Sequence, residues 1–312
     1  MSVTGNVSFT YGQGLAGLLG KKGTSSDITL YNTKLGDSVL TFIEATGFPE
    51  KIQPLISAIN ISDQALVRID SLDGNLAETI MALDHMGMEK GFLIYGKDVR
   101  EDQVAPLIED TVIQGYEVLE EQPMVLKEKL AGLVPDPAGD PVVQVDHSFQ
   151  VKGVGTVALG VVKSGTVKKY DVLDAVPGDV KVPVKSIQVH DTDVPEAVAG
   201  VRVGLALKDA KPDDIPRGTI LTTGNELRLI KEGQADASLS KYAGKALEAD
   251  DIIMVNSMLN YTPARIASGS LDPGKTGKIV FELEKEVPTI SGNLCLMDPG
   301  QKPPRILGHL KI

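Results

Sequence analysis

The sequence predicts an α/β domain followed by β-rich structure, and three observations carry that prediction. Before residue 135, short runs of β-forming residues alternate with segments of helical period, an arrangement typical of a largely parallel sheet covered by helices. Residues 135–141 then concentrate proline, glycine and aspartate, which interrupt regular structure and indicate a linker. From Val151 to Leu221, alternating apolar runs are separated by regularly spaced glycines, a pattern typical of a β-barrel.

The elements of the α/β segment follow from the period of its apolar residues. Helices are expected at 50–59, 76–86 and 102–112, where apolar residues recur every three to four positions, and Asp73 or Asn75 is available to cap the second helix. Strands are expected where short apolar or β-branched runs are bounded by turn residues, at 7–10, 28–31, 39–43, 65–69, 91–94 and 116–119.

The β-rich segment opens with a hairpin. Ser164 and Gly165 supply its turn, while Val157 and Val161 line one face of its first strand. Strands without long helices recur from about residue 226 to the end of the sequence, so a second all-β segment is expected there.

Composition limits the classes of function. A chain of 312 residues with 42% hydrophobic and 23% charged residues suits two or three ordinary soluble domains. No apolar run approaches the roughly 18 residues that span a bilayer, and the N-terminus lacks the layout of a signal peptide. The single cysteine, Cys295, excludes an internal disulfide, and the four histidines are scattered. We therefore expect a cytoplasmic protein with no membrane partner and no metal site built from protein ligands.

The net charge of −11 is unevenly distributed. Residues 1–140 contain 10 Lys and Arg against 21 Asp and Glu, whereas the remainder contains 21 of each. An acidic surface repels phosphates over roughly 8 Å at physiological salt. Contact with nucleic acid is therefore expected in the second half of the chain, and no binding of DNA is expected.

Several ordered blocks of the glycine-punctuated segment resemble domain 2 of the EF-Tu and SelB class of translation factors. They are the opening run 151–173, the runs 184–191 and 197–207, and the closing run 217–221. Tyr170 departs from the family pattern, since it replaces the glycine usual before the turn. Three later runs are similar to the closing strands of the third domain of the same factors, at 271–288, 291–292 and 304–312.

The resemblance implies an α/β P-loop-like domain of degenerate GTPase type followed by two antiparallel β-barrel domains. The expected boundaries are 1–134 for the GTPase-like domain, 135–141 for the linker, 142–224 for the domain 2-like barrel and 225–312 for the domain 3-like barrel.

In this family the first domain binds GTP through a glycine-rich loop that ends in Lys and Ser or Thr. The glycines let backbone N–H groups surround the phosphates, the lysine neutralises phosphate oxygens, and the hydroxyl binds Mg²⁺. Gly12 and Gly17 keep the glycine spacing, but Leu18 and Leu19 occupy the positions of the lysine and the hydroxyl residue. Neither leucine binds phosphate or Mg²⁺, and we expect both to be buried.

The other nucleotide-binding elements of the family are altered as well. Thr29 stands at the Mg²⁺-binding threonine, but the long switch loop before it is mostly absent. In the expected Asp-x-x-Gly element, Gly47 matches, Glu44 replaces the aspartate and Phe48 replaces the histidine that positions water. The guanine-reading motif of the family falls on Gly96, Lys97 and Val99. Its lysine is kept as Lys97, but Gly96 replaces the asparagine and Val99 replaces the base-binding aspartate.

Four nucleotide-binding elements of the family thus lack residues that their chemistry requires, which indicates a pseudo-GTPase. No catalytic residue is assigned, and GTP and Mg²⁺, the cofactors of the family, are expected to be lost. The glycines from Gly12 to Gly17 are interpreted as a tight turn, Asp70 and Asp73 as part of a helix-capping turn, and Cys295 as a packing residue.

Candidate partner-binding residues lie in the domain 2-like segment. His190 ends a strand on the face that, in family members, lies near the pocket for the tRNA acceptor end. Lys185, Arg202 and Arg217, together with Lys163, are cations that would form a shared patch if their side chains converge. An exposed histidine and individually solvated charges are the alternative interpretation.

Three functions remain open at this level. The first is an EF-Tu- or SelB-like paralogue that binds tRNA, aminoacyl-tRNA or a ribosomal partner through its barrels without hydrolysing GTP. The second is a protein–protein adaptor, which exposed apolar residues at 15–19 would favour. The third is a GTPase with unconventional residues, in which Lys21 would replace the missing lysine.

Overall fold

The computed structural model describes residues 3–224, 227–290 and 292–312. The predicted start of the third domain near 226 and Ser291 of the family resemblance lie outside these ranges.

The first segment is an α/β domain. Its elements are, in chain order, β1 (Thr4–Tyr11), α1 (Leu15–Leu19), β2 (Lys21–Ser25), β3 (Thr29–Leu35), β4 (Ser38–Glu44), α2 (Gln53–Ile61), β5 (Gln64–Ile69), α3 (Gly74–His85), β6 (Gly91–Tyr95), α4 (Glu101–Ile108), a 3₁₀ turn (Val112–Gly115), β7 (Glu117–Val118) and α5 (Pro123–Ala131).

These strands form one sheet in the order β2-β3-β4-β1-β5-β6-β7. The pairs from β4 through β7 are parallel, and β3 pairs antiparallel to both β2 and β4. Strands β1, β4 and β5 are almost wholly buried, as expected for a sheet covered on both faces. The α/β prediction is therefore confirmed.

The middle segment forms a curved antiparallel sheet. Its elements are β8 (Val142–Val151), β9 (Gly155–Ser164), β10 (Thr166–Lys168), β11 (Val172–Val176), β12 (Val180–Val189), β13 (Thr192–Val194), β14 (Glu196–Val198), β15 (Arg202–Leu207), a 3₁₀ turn (Pro212–Asp214) and β16 (Ile220–Thr222). The strand order is β11-β16-β8-β9-β15-β12-β13, and β11 also pairs with β12. That extra pairing closes the sheet around a core in which valine, leucine and alanine predominate.

The third segment is a closed six-stranded barrel. Its strands are β17 (Arg228–Leu239), β18 (Ile252–Ser257), β19 (Asn260–Ser268), β20 (Thr276–Thr289), β21 (Asn293–Met297) and β22 (Ile306–Lys311). They close in the order β17-β20-β19-β18-β21-β22. Closure pairs every edge, which removes the exposed strand edges that favour aggregation.

Three elements of the α/β domain lack a counterpart in the sequence predictions, because two of them bury few apolar residues and the third is too short to show a period. Strand β2 is polar, because four of its five residues are exposed at the sheet edge. Helix α5 buries only Leu126 and Leu130, which is too few apolar residues to reveal a period. Helix α1 is shorter than two turns. The third predicted helix also ends early, at Ile108, and Val112 belongs to the 3₁₀ turn.

The α/β domain packs directly against both β domains. Leu259, Met297 and Ile306 of the third domain share one apolar cluster with α2 and α3. The phenol of Tyr261 donates to the carbonyl of Gln53 at 2.8 Å across the same boundary. None of the helices in the described ranges is both long and apolar enough to cross a membrane.

Candidate functional site

The loop between β1 and α1 occupies the position where the family resemblance predicts a phosphate loop. Gly12 has φ 123° and Gly14 has φ 75°, both in the region that favours glycine. A Cβ atom on Gly12 would lie 2.8 Å from the Cβ of Arg68, so strand β5 approaches this loop closely. The amide of Leu15 donates to the carbonyl of Gly12 at 3.2 Å, which closes a tight turn. The helix that follows has only five residues, so its dipole at the loop is weak.

Leu18 and Leu19 have different environments. Leu19 is 1% exposed and packs in an apolar cluster with Leu40, Phe42 and Leu66. The expectation for Leu18 was wrong, since it is 49% exposed. The difference arises because a helix of this length has one buried face, and Leu15, Ala16 and Leu19 occupy it.

Arg68 binds the loop from β5. Its guanidinium donates to the carbonyl of Gln13 at 2.6 Å. The same group is paired with Asp70 and Glu121, each at 2.9 Å, and the side chain is 12% exposed. Two carboxylates therefore surround one cation beside the loop. Burial raises the pKa of Tyr11 at the end of β1, and the charges of Asp73 and Asp70 raise it further. The electrostatic environment of the loop is therefore acidic, which opposes the binding of phosphate.

The hydroxyl of Thr29 is engaged within the chain. Thr29 is 1% exposed, and its Oγ1 lies 2.9 Å from Oγ of Ser25 and 2.6 Å from Oγ1 of Thr46. Glu44, at the end of β4, accepts a hydrogen bond of 3.0 Å from the phenol of Tyr31. The two residues at the magnesium-binding positions of the family thus serve as partners for neighbouring strands.

The segment after β4 is covered by the third domain. Gly47 is closely approached by Pro54, whose Cγ would lie 2.8 Å from an added Cβ. Phe48 is partly buried against the core, and the guanidinium carbon of Arg305 lies 5.8 Å from the centre of its ring. Arg305 comes from the β21–β22 connection, so a residue of the third domain contacts Phe48, which the resemblance aligns with the water-positioning histidine.

The segment at the guanine-reading position contains no acidic side chain at its last residue. Gly96 donates its amide to the carbonyl of Ile69 at 2.9 Å, which binds it to the end of β5. Lys97 is exposed, whereas Val99 is half-buried and packs against the core. Val99, which the resemblance aligns with the base-binding aspartate, thus contributes hydrophobic packing.

The predicted cations of the middle domain are largely paired within the chain. Arg202 binds Asp146 through two hydrogen bonds, of 3.1 and 3.2 Å, and is 13% exposed. Arg217 donates to Asp27 of the α/β domain at 2.7 Å. Burial alone would raise the pKa of Asp27, but the Arg217 guanidinium and the Ser26 hydroxyl outweigh burial and lower it. These arginines therefore stabilise the chain's own structure rather than form the predicted shared patch with Lys185.

Lys163 is also paired within the chain. Its ammonium group donates to the carbonyl of Ser62 at 2.8 Å and to Asp63 at 3.1 Å, both in the α/β domain. His190 is exposed at the turn after β12, where its backbone has φ 47°.

Lys185 lines a cleft of about 570 Å³ at one end of the middle domain. Its ammonium group donates to the carbonyl of Val154 at 3.2 Å, in the β8–β9 turn. Lys208 and Lys211 enter the same cleft from the loop after β15, and all three lysines are exposed. Asp209 and Asp214 also line the cleft, so its net charge is modestly positive.

Sequence reasoning did not single out Arg68, Lys208, Lys211 or Arg305. A signal existed for Arg68, because a charged residue interrupts the apolar run of β5. Lys208 and Lys211 follow an apolar strand closely, which is a common place for exposed lysines and carries little information. Arg305 pairs with Glu78, which lies 227 positions away in the sequence. No local sequence pattern reveals such a pair.

Comparisons with known proteins identify relatives of this chain. The model of the family "Elongation factor Tu domain 2" matches residues 155–222. An uncharacterised protein of Methanocaldococcus jannaschii is 39% identical over 307 residues, covering 97% of each chain. The selenocysteine-specific elongation factor of the same organism is 26% identical over 327 residues, covering 92% of this chain and 70% of that factor.

A solved structure has the same fold along the whole chain. The apo form of the translation elongation factor SelB from Methanococcus maripaludis matches with a TM-score of 0.80 at 22% identity. The match covers 100% of this chain and 80% of that one. The same factor in complex with the GTP analogue GppNHp matches with a TM-score of 0.76.

Proposed function

Because the chain belongs to the family of translation elongation factors of EF-Tu and SelB type, we propose that it acts in translation without binding or hydrolysing GTP. In this proposal the protein is a cytoplasmic paralogue that binds tRNA or aminoacyl-tRNA, or a ribosomal partner, through its β domains. The domain boundaries expected from the sequence are retained as part of the proposal.

The observation that carries the loss of nucleotide binding is the burial of Leu19 in the core at the position of a ligand to Mg²⁺. The hydrogen bond from Arg68 to the carbonyl of Gln13 supports the same conclusion, since it fixes the loop from within the chain. Lys21, the candidate replacement cation, lies in β2 at the sheet edge, where its backbone pairs with that of Asn32 and its side chain is exposed.

Calorimetry at high protein concentration tests this part of the proposal. The protein is titrated with GppNHp in the presence of Mg²⁺, and SelB of Methanococcus maripaludis is titrated in parallel, since that factor was solved with this analogue. The expected result is heat of binding for SelB and none for this chain. Binding in the micromolar range or tighter would overturn the proposal and would make Thr29 and Lys21 the residues to mutate.

The cleft around Lys185 supports RNA as the partner. Three exposed lysines line it, whereas the α/β domain carries the acidic excess of the chain. Cations that meet phosphates release counterions, so they supply affinity that falls as salt rises. The adaptor alternative receives less support, because Leu18 is the only exposed leucine between residues 15 and 19.

Binding of fluorescently labelled tRNA, charged and uncharged, tests the RNA partner by anisotropy across a salt series. We expect binding that does not depend on GppNHp. The triple variant K185A/K208A/K211A is expected to bind at least tenfold more weakly, with a salt slope reduced by about 2. The control K231A/K275A/K285A removes three exposed lysines of the third domain and is expected to bind like the wild type. Equal loss in both variants would point to nonspecific charge attraction, and no binding by the wild type would favour a protein partner.

A further inference from the structure

Tyr170 occupies an unusual backbone position on the surface of the middle domain. It lies in the turn between β10 and β11, its φ is 78°, and 74% of its surface is exposed. Side chains with a Cβ atom rarely adopt this conformation, which glycine adopts without strain. The turn therefore retains a large aromatic residue where a glycine would form it more easily.

The turn itself does not account for the aromatic ring. Its geometry is fixed by backbone bonds, since the amide of Tyr170 donates to the carbonyl of Val184 at 2.8 Å and the amide of Val184 donates to Asp171 at 2.8 Å. The ring is exposed to solvent, with the ammonium group of Lys169 4.9 Å from its centre. Strained backbone that persists without a packing reason is found preferentially at functional sites.

The strand beside Tyr170 links it to the lysine-lined cleft. Val184, its backbone partner, directly precedes Lys185. Pro183, on the other side of Val184, accepts a hydrogen bond of 2.9 Å from the amide of Lys208. A short stretch of β12 thus carries Lys185 and lies between the turn of Tyr170 on one edge and the backbone of Lys208 on the other. We define the Tyr170 surface as the exposed residues Lys168, Lys169, Tyr170, Lys185 and Lys208.

We propose that the Tyr170 surface is a platform on which an unpaired base of single-stranded RNA stacks, with its flanking phosphates bound by the surrounding lysines. This inference rests on the proposed function and names the form of RNA that the middle domain takes. An aromatic ring stacks on any unpaired base, because every base presents a π face, whereas bases inside a duplex are already stacked. Four lysines outnumber three nearby acidic residues, Asp171, Asp209 and Glu196, the last of which is the cross-strand partner of Lys168, so the surface is positive.

A tryptophan at this position makes the stacking directly measurable. The chain contains no tryptophan, so Tyr170→Trp introduces a single fluorescent reporter into the full-length protein. The probes are a single-stranded 12-nucleotide oligoadenylate, labelled for anisotropy, and a duplex RNA of the same length. Saturation with the single strand is expected to quench the emission by at least half, and the duplex is expected to quench it far less. Saturated binding with unchanged emission would overturn the proposal.

Tyr170→Gly separates binding from folding. This variant removes the ring and relieves the backbone strain, so the thermal midpoint is expected to stay equal or rise while affinity for the oligoadenylate falls at least tenfold. Tyr170→Phe is expected to retain affinity within about threefold. The matched control is Tyr242→Ala in the third domain, where another exposed tyrosine carries a lysine 5.3 Å from its ring centre. It is expected to bind like the wild type.

The outcomes distinguish this proposal from the proposed function. If the wild type binds tRNA and Tyr170→Gly binds the oligoadenylate equally well, RNA contacts the protein elsewhere and only the Tyr170 surface is refuted. If the wild type binds neither tRNA nor the oligoadenylate, the proposed RNA partner fails and this inference fails with it.

Discussion

Arg305 of the third domain forms a buried ion pair with Glu78 of helix α3. Its guanidinium nitrogen Nη2 lies 2.6 Å from Oε2 of Glu78, and Nε and the backbone amide of Arg305 both donate to Oε1. The two side chains are 7% and 1% exposed. Such a pair fixes one relative position of the α/β domain and the third domain, because any rotation between them would leave two charges buried without partners.

Removal of one partner of this pair is expected to destabilise the protein strongly. Glu78→Ala leaves the Arg305 guanidinium buried without its carboxylate, which costs about 3–5 kcal/mol of unfolding free energy. Urea unfolding followed by circular dichroism measures the change. The control is Arg265→Ala, whose pairs with Asp250 and Glu282 are exposed to solvent and are expected to contribute little to stability. Similar losses in both variants would show that the buried pair does not fix the interface.

The neighbouring leucines of α1 give a second prediction. Leu19→Ala opens a cavity in a close-packed cluster and is expected to cost about 3 kcal/mol. Leu18→Ala removes a half-exposed side chain from the same helix and is expected to cost under about 1 kcal/mol. Urea unfolding of the two variants measures both values. Equal costs would contradict the assignment of Leu19 to the core.

The fold could be predicted where burial imposes a period on the sequence. Strands β1, β4 and β5 are apolar because both faces of the sheet are covered, and the middle domain is punctuated by glycines at its turns. Asp73 was expected to cap α3, and its carboxylate accepts a hydrogen bond of 2.9 Å from the amide of Leu76. Local chemistry and local geometry agree at these positions, so local patterns are sufficient.

The candidate site was less predictable, because its important contacts join distant segments. The partners of Arg68 and Arg217 lie 53 and 190 positions away, at Glu121 and Asp27. Sequence alone predicted both the altered nucleotide motifs and the candidate cations, but it did not reveal that Arg202 and Arg217 are already paired. Tyr170 was visible only as a departure from a family pattern, and its exposure required the structure.

Arg68 provides a prediction about the loop after β1. Arg68→Met keeps the aliphatic packing of the side chain but removes its hydrogen bond to the carbonyl of Gln13 and its pairs with Asp70 and Glu121. Because charged hydrogen bonds of this kind contribute about 1.5–3 kcal/mol, we expect a loss of about 2 kcal/mol in urea unfolding. Under the proposed function, GppNHp binding should remain undetectable, since Leu19 stays in the core at the position that the resemblance aligns with the Mg²⁺-binding hydroxyl. Nucleotide binding by this variant would mean that Arg68 alone blocks the loop.

Arg100→Met, which removes an exposed pair with Asp102, is the control and should cost under about 1 kcal/mol.

Two histidines at the boundary between the α/β and third domains give a pH dependence. The Nδ1 atoms of His85 and His309 lie 3.1 Å apart, which permits one hydrogen bond between neutral rings but places two N–H groups face to face when both are protonated. Burial, together with a smaller contribution from the charge of His309, lowers the pKa of His85 from 6.5 to about 4. Burial also lowers the pKa of His309, with Asp84 opposing the shift and Lys311 adding to it.

The stability that depends on neutral His85 is present above pH 6.5 and is lost as the pH falls towards 4, because the unfolded chain binds the proton first. Between pH 7 and pH 5 this group alone is expected to remove about 2 kcal/mol of unfolding free energy. His85→Gln keeps a neutral polar side chain of similar length, so its stability should decline by about 2 kcal/mol less than that of the wild type over the same interval. His190→Gln, at an exposed turn, is the control and should follow the wild type. Urea unfolding at pH 7 and pH 5 measures all three proteins, and an undiminished decline in His85→Gln would show that other groups dominate the acid sensitivity of this boundary.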